Sequence, residues 1–157
     1  MEVKETSRPH SPFTVNHVRI GFNVNVPMSA VGRAYLAFCP DEEREKLLAQ
    51  LAASDDPANS SVRDHKQMEQ ILQEVREKGY AIRNRNFVGG FPDVRPFPDD
   101  DLAAIAVPLS VGGRVHGAIS LVWLRQALET DEFVTKYLAD LGQAAEEICQ
   151  MLTEIEC

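Results

Sequence analysis

Leu102–Trp123, LAAIAVPLSVGGRVHGAISLVW, constrains this chain more than any other stretch. Two apolar runs flank Gly112-Gly113, and a glycine pair takes the positive φ values that a two-residue hairpin turn demands. The reading is two antiparallel strands. With a two-residue turn Val111 faces Arg114, and Leu109, Val107, Ile105 and Ala103 face His116, Ala118, Ser120 and Val122. Those residues share one face. The other carries Leu102, Ala104, Ala106, Pro108, Gly117, Ile119, Leu121 and Trp123. Both faces are largely apolar, which places the hairpin in a sheet covered on both sides. Pro108 has no N–H to give a ladder, so it belongs on an outward edge or near a bulge. Small residues on the first face (Ala103, Ala118, Ser120) leave room there for something other than side chain.

The remaining chain supplies helices to cover that sheet. Met1–Thr6 reads as a short strand and Ser7–Thr14, with Pro9 and Pro12, as a loop. His17–Val26 alternates, with Val18, Ile20, Phe22, Val24 and Val26 on one side, and predicts a half-buried strand. It runs straight into Ala30–Phe38, a short apolar helix with Ser29 as N-cap. Gly32 inside that helix costs roughly 1 kcal/mol against Ala, and a close approach of another backbone is one reason to keep it. Pro40 and Asp41-Glu42-Glu43 suit the start of a second helix. Ser54–Ser61 reads as a polar loop, and Asp64–Lys78 as an amphipathic helix stopped by Gly79. Tyr80–Phe87 reads as a strand with Arg83 and Arg85 on its polar side. Val88–Asp101 is an irregular loop, long enough to expect function from it. A turn of helix near Leu124–Ala127 and a long terminal helix, capped by Thr130 or Asp131, close the chain. The order β-β-α-α-α-β-β-β-α describes an α+β domain, a mostly antiparallel sheet with helices packed on it, as in GAF and PAS sensory domains.

At 157 residues with 44% hydrophobic content, the chain suits one domain with a real core. Sixteen basic against 24 acidic residues give a net charge of −8, a poor basis for binding nucleic acid directly. Cys39, Cys149 and Cys157 are odd in number and lack metal-ligand spacing, which fits a reducing cytosol. No apolar run reaches transmembrane length and no signal-peptide pattern opens the chain, so no membrane partner and a cytoplasmic location are expected.

Little in the sequence points to catalysis. His10, His17, His65 and His116 are scattered, and there is no G-x-S-x-G, Walker A, H-E-x-x-H or C-x-x-C motif. No catalytic residue, cofactor or metal is expected. Cys39 precedes a helix start, but without a nearby histidine it reads as buried and inert. The segment Val26–Gly32 is more informative. A strand that feeds directly into a helix presents unpaired N–H groups, which suit an anion such as a carboxylate.

Taken together these segments resemble the effector-binding domain of IclR-type transcriptional regulators. The family's Pro, small-residue turn and Gly-Lys-Ala-x-Leu-Ala correspond to Pro27-Met28-Ser29-Ala30-Val31-Gly32-Arg33-Ala34-Tyr35-Leu36-Ala37. The acidic start of the second helix corresponds to Cys39-Pro40-Asp41-Glu42-Glu43-Arg44-Glu45. The I-x-x-x-G-Y segment reads Val75-Arg76-Glu77-Lys78-Gly79-Tyr80-Ala81, and the I-A-x-P-V strand with its mate reads Ile105–Leu109 and Gly117–Ser120. Tyr35-Leu36-Ala37-Phe38-Cys39-Pro40 and Ile105–Leu109 are most similar to the branch that controls aromatic-acid catabolism.

The resemblance implies a GAF-like domain that binds a small organic acid, forms dimers or tetramers, and signals to an N-terminal winged helix-turn-helix. DNA would be reached only through that domain, which this chain lacks; the chain is also expected to begin part-way through the effector domain. Carried over, the effector contacts are Ala30 and Val31, then Asp93, then Asp101 and Ala103, then Ser120 and Val122. Relatives that bind very small oxo acids have a Cys and a second Ser where Ala103 and Val122 stand. Losing those polar groups favours a larger or aromatic acid. The expected pose puts the carboxylate on the Ala30 and Val31 N–H groups, with Ala103, Ile105 and Val122 as an apolar wall. Two rival readings remain: a GAF-like enzyme using cysteines, and a dimerisation module with a filled interior.

Overall fold

The computed structural model describes residues 1–6, 20–21, 23–87 and 100–155. Ser29 opens the first helix, α1 (Ala30–Phe38), by accepting from the Gly32 N–H. Asp41, Glu42 and Glu43 occupy the first turn of α2 (Asp41–Ala52), where negative charge suits the helix dipole. A 3₁₀ helix at Pro57–Arg63 follows, beginning inside the Ser54–Ser61 segment expected to be a polar loop and running two residues past it. Asp64 then caps α3 (His65–Lys78), which ends at Gly79 with φ 78°, the left-handed stop that glycine provides.

Three antiparallel strands come next, ordered β1 (Ala81–Ile82), β2 (Leu102–Val111) and β3 (Arg114–Leu124). The expected strand over Tyr80–Phe87 is thus reduced to two residues. The long helix α4 (Thr130–Ile155) closes the described chain, after a turn where a short helix was expected near Leu124–Ala127. Of the two strands expected at the start, the described residues hold one bridge, Glu2 opposite Asn23. Backbone bonds from Gly21 to Val3 and from Val24 to Met1, both 2.8 Å, flank it. Within His17–Val26, residues 17–19 and 22 lie outside the described set. The described remainder holds only the Asn23 bridge and ends in the turn that leads to α1, so the half-buried strand expected there is not formed by these residues.

The hairpin turn is the two-residue one, with Gly112 at φ 58° and Gly113 at φ 79°. Its register is not the one expected. Val111 pairs with Arg114 and Ser110 with Val115, but Leu109 pairs with Gly117, so His116 is an extra residue. This bulge lies two residues from Pro108, whose missing N–H is tolerated at such a break. Because side chains alternate with period two, the slip moves every later β3 residue to the opposite face. Ala103, Ile105 and Val107 therefore share a face with Ile119, Leu121 and Trp123. Ala104 and Ala106 share the other with Ala118, Ser120 and Val122.

Each face has its own core. On one, Ala104 and Ala106 pack with Ala30, Ala34, Leu36 and Ala37 of α1 and Met68, Leu72 and Val75 of α3. On the other, Ala103, Ile105, Val107 and Trp123 pack with Phe133, Leu141 and Ala145 of α4. Trp123 stacks on Phe133 with ring centroids 3.6 Å apart, and its indole N–H donates to the Leu128 carbonyl at 2.9 Å. The expectation of a sheet covered on both sides holds, and the fold is α+β.

Candidate functional site

The start of α1 is the most constrained corner of the molecule. Asn25 accepts from the Met28 N–H at 3.0 Å and donates through Nδ2 to Asn59 Oδ1 at 2.9 Å. The Met28 carbonyl accepts from the Asn84 N–H at 2.9 Å, tying this turn to the end of β1. Ser29 Oγ satisfies Gly32 N–H at 3.1 Å, and Arg33 N–H bonds the Ser29 carbonyl. The N–H groups of Ala30 and Val31 find no acceptor among the described residues. They are the orphan donors of a helix N-terminus, at its positive end.

Gly32 explains how the turn fits. A Cβ there would lie 2.0 Å from the Val26 carbonyl oxygen and 2.5 Å from its Cα. The close approach that would justify this glycine is present. Arg33 reinforces it: the guanidinium is buried, and Nε donates to the Pro27 carbonyl at 2.8 Å and Nη1 to the Ile82 carbonyl at 3.1 Å. Burial lowers its pKa from the ordinary arginine value.

Helix α1 starts beside the end of β1 and finishes near the hairpin turn, where Tyr35 feels the charge of Arg114. Alanines on both sides (Ala30, Ala34 and Ala37 against Ala104, Ala106 and Ala118) let helix and sheet approach closely. Near the start of α1 the same sheet face continues through Ser120, half-buried, to Val122 and Leu124, which are 46% and 43% exposed. Two ion pairs stand at this end of the sheet. Arg83, at the end of β1, pairs with Asp100 in a largely buried contact, bonds the Phe87 carbonyl at 2.8 Å, and lies over the Phe87 ring. Arg125 Nε lies 3.5 Å from Asp101 Oδ1, and its N–H bonds the Asp101 carbonyl at 2.9 Å.

The residues expected to form a site are thus divided. Ala30 and Val31 lie at the helix start, and Ser120 and Val122 on the sheet face that α1 covers. Ala103 and Ile105 do not join them. The bulge turns Ser120 and Val122 away from them, and Ala103 and Ile105 face α4, where Ala103 is 7% exposed and Ile105 fully buried against Trp123 and Phe133. Asp101 takes φ 53°, which breaks the strand alternation that had placed it with Ala103, and it is tied to Arg125. Asp93 lies outside the described residues. Sequence reasoning missed Arg33 and Arg83 as buried groups; a basic residue inside an apolar helix, and another at a strand beside an acidic loop, were the available signals.

Cys39 is buried, and its thiol approaches the Leu36 carbonyl at 3.6 Å. Burial, then the charge of Glu43, push its pKa up, so the reactive thiolate is disfavoured. No cluster of three metal-capable side chains gathers among the described residues. No described helix is long and apolar enough to cross a membrane.

Comparison with known proteins places this geometry. Residues 10–150 match the family model described as bacterial transcriptional regulator IclR, C-terminal. The structure is similar to that of a transcriptional regulator from Rhodococcus sp. RHA1, with TM-score 0.72 and 18% identity over 94% of this chain and 56% of that one. It is similar to the IclR protein of Thermotoga maritima, with TM-score 0.66 and 22% identity over 92% of this chain and 52% of that one. The chain therefore spans little more than half the length of these two proteins. A third similar structure is a double mutant of the PobR inducer-binding domain from Acinetobacter in complex with 3-hydroxybenzoic acid. There the TM-score is 0.65 and the identity 18%, over 89% of this chain and 76% of that one.

Proposed function

Because the chain belongs to the IclR C-terminal family of bacterial transcriptional regulators, we propose that it is a non-catalytic effector-binding domain for a small organic acid with an apolar, aromatic body. One observation carries this reading. The N–H groups of Ala30 and Val31, which find no acceptor among the described residues, and the exposed apolar end of β3 (Val122, Leu124) lie on the same side of the sheet, the one that α1 packs on. A carboxylate suits the N–H groups, and the side chains suit its ring. Ser120 supplies a hydroxyl between them. The wall is Val122 and Leu124 rather than Ala103 and Ile105, whose places are taken in the α4 core. The PobR domain's complex with 3-hydroxybenzoic acid supports an aromatic acid as the ligand class.

On this reading the domain self-associates as a dimer or tetramer and acts in the cytoplasm. It reaches DNA only through a winged helix-turn-helix domain outside this chain, since a net charge of −8 disfavours direct phosphate contact. The cysteine-enzyme alternative is disfavoured by a buried Cys39 thiol held protonated.

A thermal-shift screen of benzoates, phenylacetates and short-chain acids, followed by calorimetry, tests the reading. At least one aromatic acid binds without turnover. Ser120→Leu, on the α1 face, abolishes that binding. Ala103→Leu, on the α4 face, leaves affinity within about threefold while overpacking the core by roughly 1–3 kcal/mol. Turnover of the acid, or Ser120→Leu binding as well as the parent, would overturn it.

A further inference from the structure

We propose that Arg33 sets the specificity of this site for an acid over its neutral analogue, by holding against the first turn of α1 a buried positive charge that no described carboxylate pairs with. The inference rests on the effector site described above.

Arg33 is 8% exposed, and both of its hydrogen-bond acceptors, the Pro27 and Ile82 carbonyls, are neutral. No carboxylate pairs with it among the described residues, whereas Arg44, Arg76, Arg83 and Arg125 each have one. A cation taken out of water without a counter-ion is unfavourable, and carbonyl dipoles offset only part of that cost. The same desolvation lowers its pKa. Its bond to Pro27, two residues ahead of the N-cap, holds the charge at the end of α1 where the Ala30 and Val31 N–H groups find no acceptor among the described residues. A carboxylate docked on those donors meets the helix dipole and the guanidinium field together, in a poorly screened setting. A carboxamide of the same shape meets only the hydrogen bonds. Arg33 thereby adds charge selectivity to a site whose N–H groups alone accept either.

A purely structural role, clamping the Val26–Ser29 turn to β1, is the competing account, and two substitutions separate them. Arg33→Lys keeps the charge and loses the planar fork. Arg33→Gln keeps a donor and loses the charge. Calorimetry on the whole chain with 3-hydroxybenzoate, benzoate and phenylacetate, each against its carboxamide, reads the acid-to-amide affinity ratio. The parent prefers the acid by about tenfold or more, Arg33→Lys keeps that preference, and Arg33→Gln brings the ratio close to one. An unchanged ratio in Arg33→Gln, or its loss in Arg33→Lys, overturns the inference while leaving the site in place. If circular dichroism shows Arg33→Gln unfolded, Arg33→Lys decides alone, because a clamp that needs the fork loses the preference with it. A parent chain that binds none of the three acids removes the site reading, and this inference falls with it.

Discussion

Replacing Gly32 by alanine should destabilise this protein, although the same change at an open helical position stabilises. Alanine is favoured over glycine inside a helix by roughly 1 kcal/mol. At Gly32 the new methyl would stand 2.0 Å from the Val26 carbonyl oxygen, far inside the 3.4 Å at which ordinary contact begins. The obstruction is backbone, so no side-chain rotation relieves it. Val26 would have to withdraw, and Pro27, whose carbonyl accepts from Arg33 Nε, would move with it. Overpacking of this kind costs about 1–3 kcal/mol and occasionally more, and each weakened hydrogen bond adds roughly 1 kcal/mol. The expected net loss is about 2 kcal/mol, or a melting temperature lower by about 4–8 °C at this chain length. Gly142, inside α4, provides the control, since nothing lies within 4 Å of a Cβ placed there. Gly142→Ala should raise stability by up to about 1 kcal/mol. Urea titrations of both variants read the two signs side by side. A Gly32→Ala protein as stable as its parent would refute the close approach and, with it, the described geometry of the α1 start.

Two further outcomes follow from side-chain contacts. Phe133→Ala removes the ring stacked on Trp123, the only tryptophan, and should cost about 3–5 kcal/mol while shifting tryptophan emission to longer wavelength; an unchanged spectrum would count against α4 docking on this face. Tyr35 donates to Glu43 at 2.5 Å, and this bond, followed by burial and the Glu43 charge, pushes its pKa up to about 12. A folded pKa above the unfolded value of 10.0 means that this contribution to stability is complete below pH 10 and is lost as pH rises toward 12. Ultraviolet titration should show a late-titrating Tyr35 that Glu43→Gln returns toward 10, and an unaltered titration curve in that variant would disprove the assignment.

The sheet and its two helical layers were legible because their signals are local. A glycine pair between apolar runs marks the hairpin, Ser29 and Asp64 mark helix starts, and Gly79 marks a stop. Gly32 was readable as a backbone approach without any clue to its partner, which proved to be Val26, six residues earlier. The register was not legible. Whether His116 bulges depends on how β3 packs between α1 and α4, and Pro108 gave only the neighbourhood of the break. A one-residue slip is enough to invert a face, so two of the three residues of the expected wall, Ala103 and Ile105, lie in the α4 core, apart from Val122. Ala30 and Val31 open α1 as expected because a helix start is set by local signals, here Ser29 as the cap. The buried arginines, Arg33 and Arg83, could not be ranked from sequence, since their burial depends on carbonyls and carboxylates brought together by the fold.

The proposed acid site lies between the start of α1 and the Ser120–Leu124 end of the sheet. Backbone and methyl nuclear magnetic resonance during titration with 3-hydroxybenzoate, or with the tightest acid from the screen, tests this most directly. Saturable shifts are expected at the Ala30 and Val31 amides and the Val122 and Leu124 methyls. The Ile105 methyls and the Trp123 indole N–H, both on the α4 face, should stay in place. Shifts concentrated on Ile105, Trp123 and α4, with Ala30 and Val31 unmoved, would contradict it.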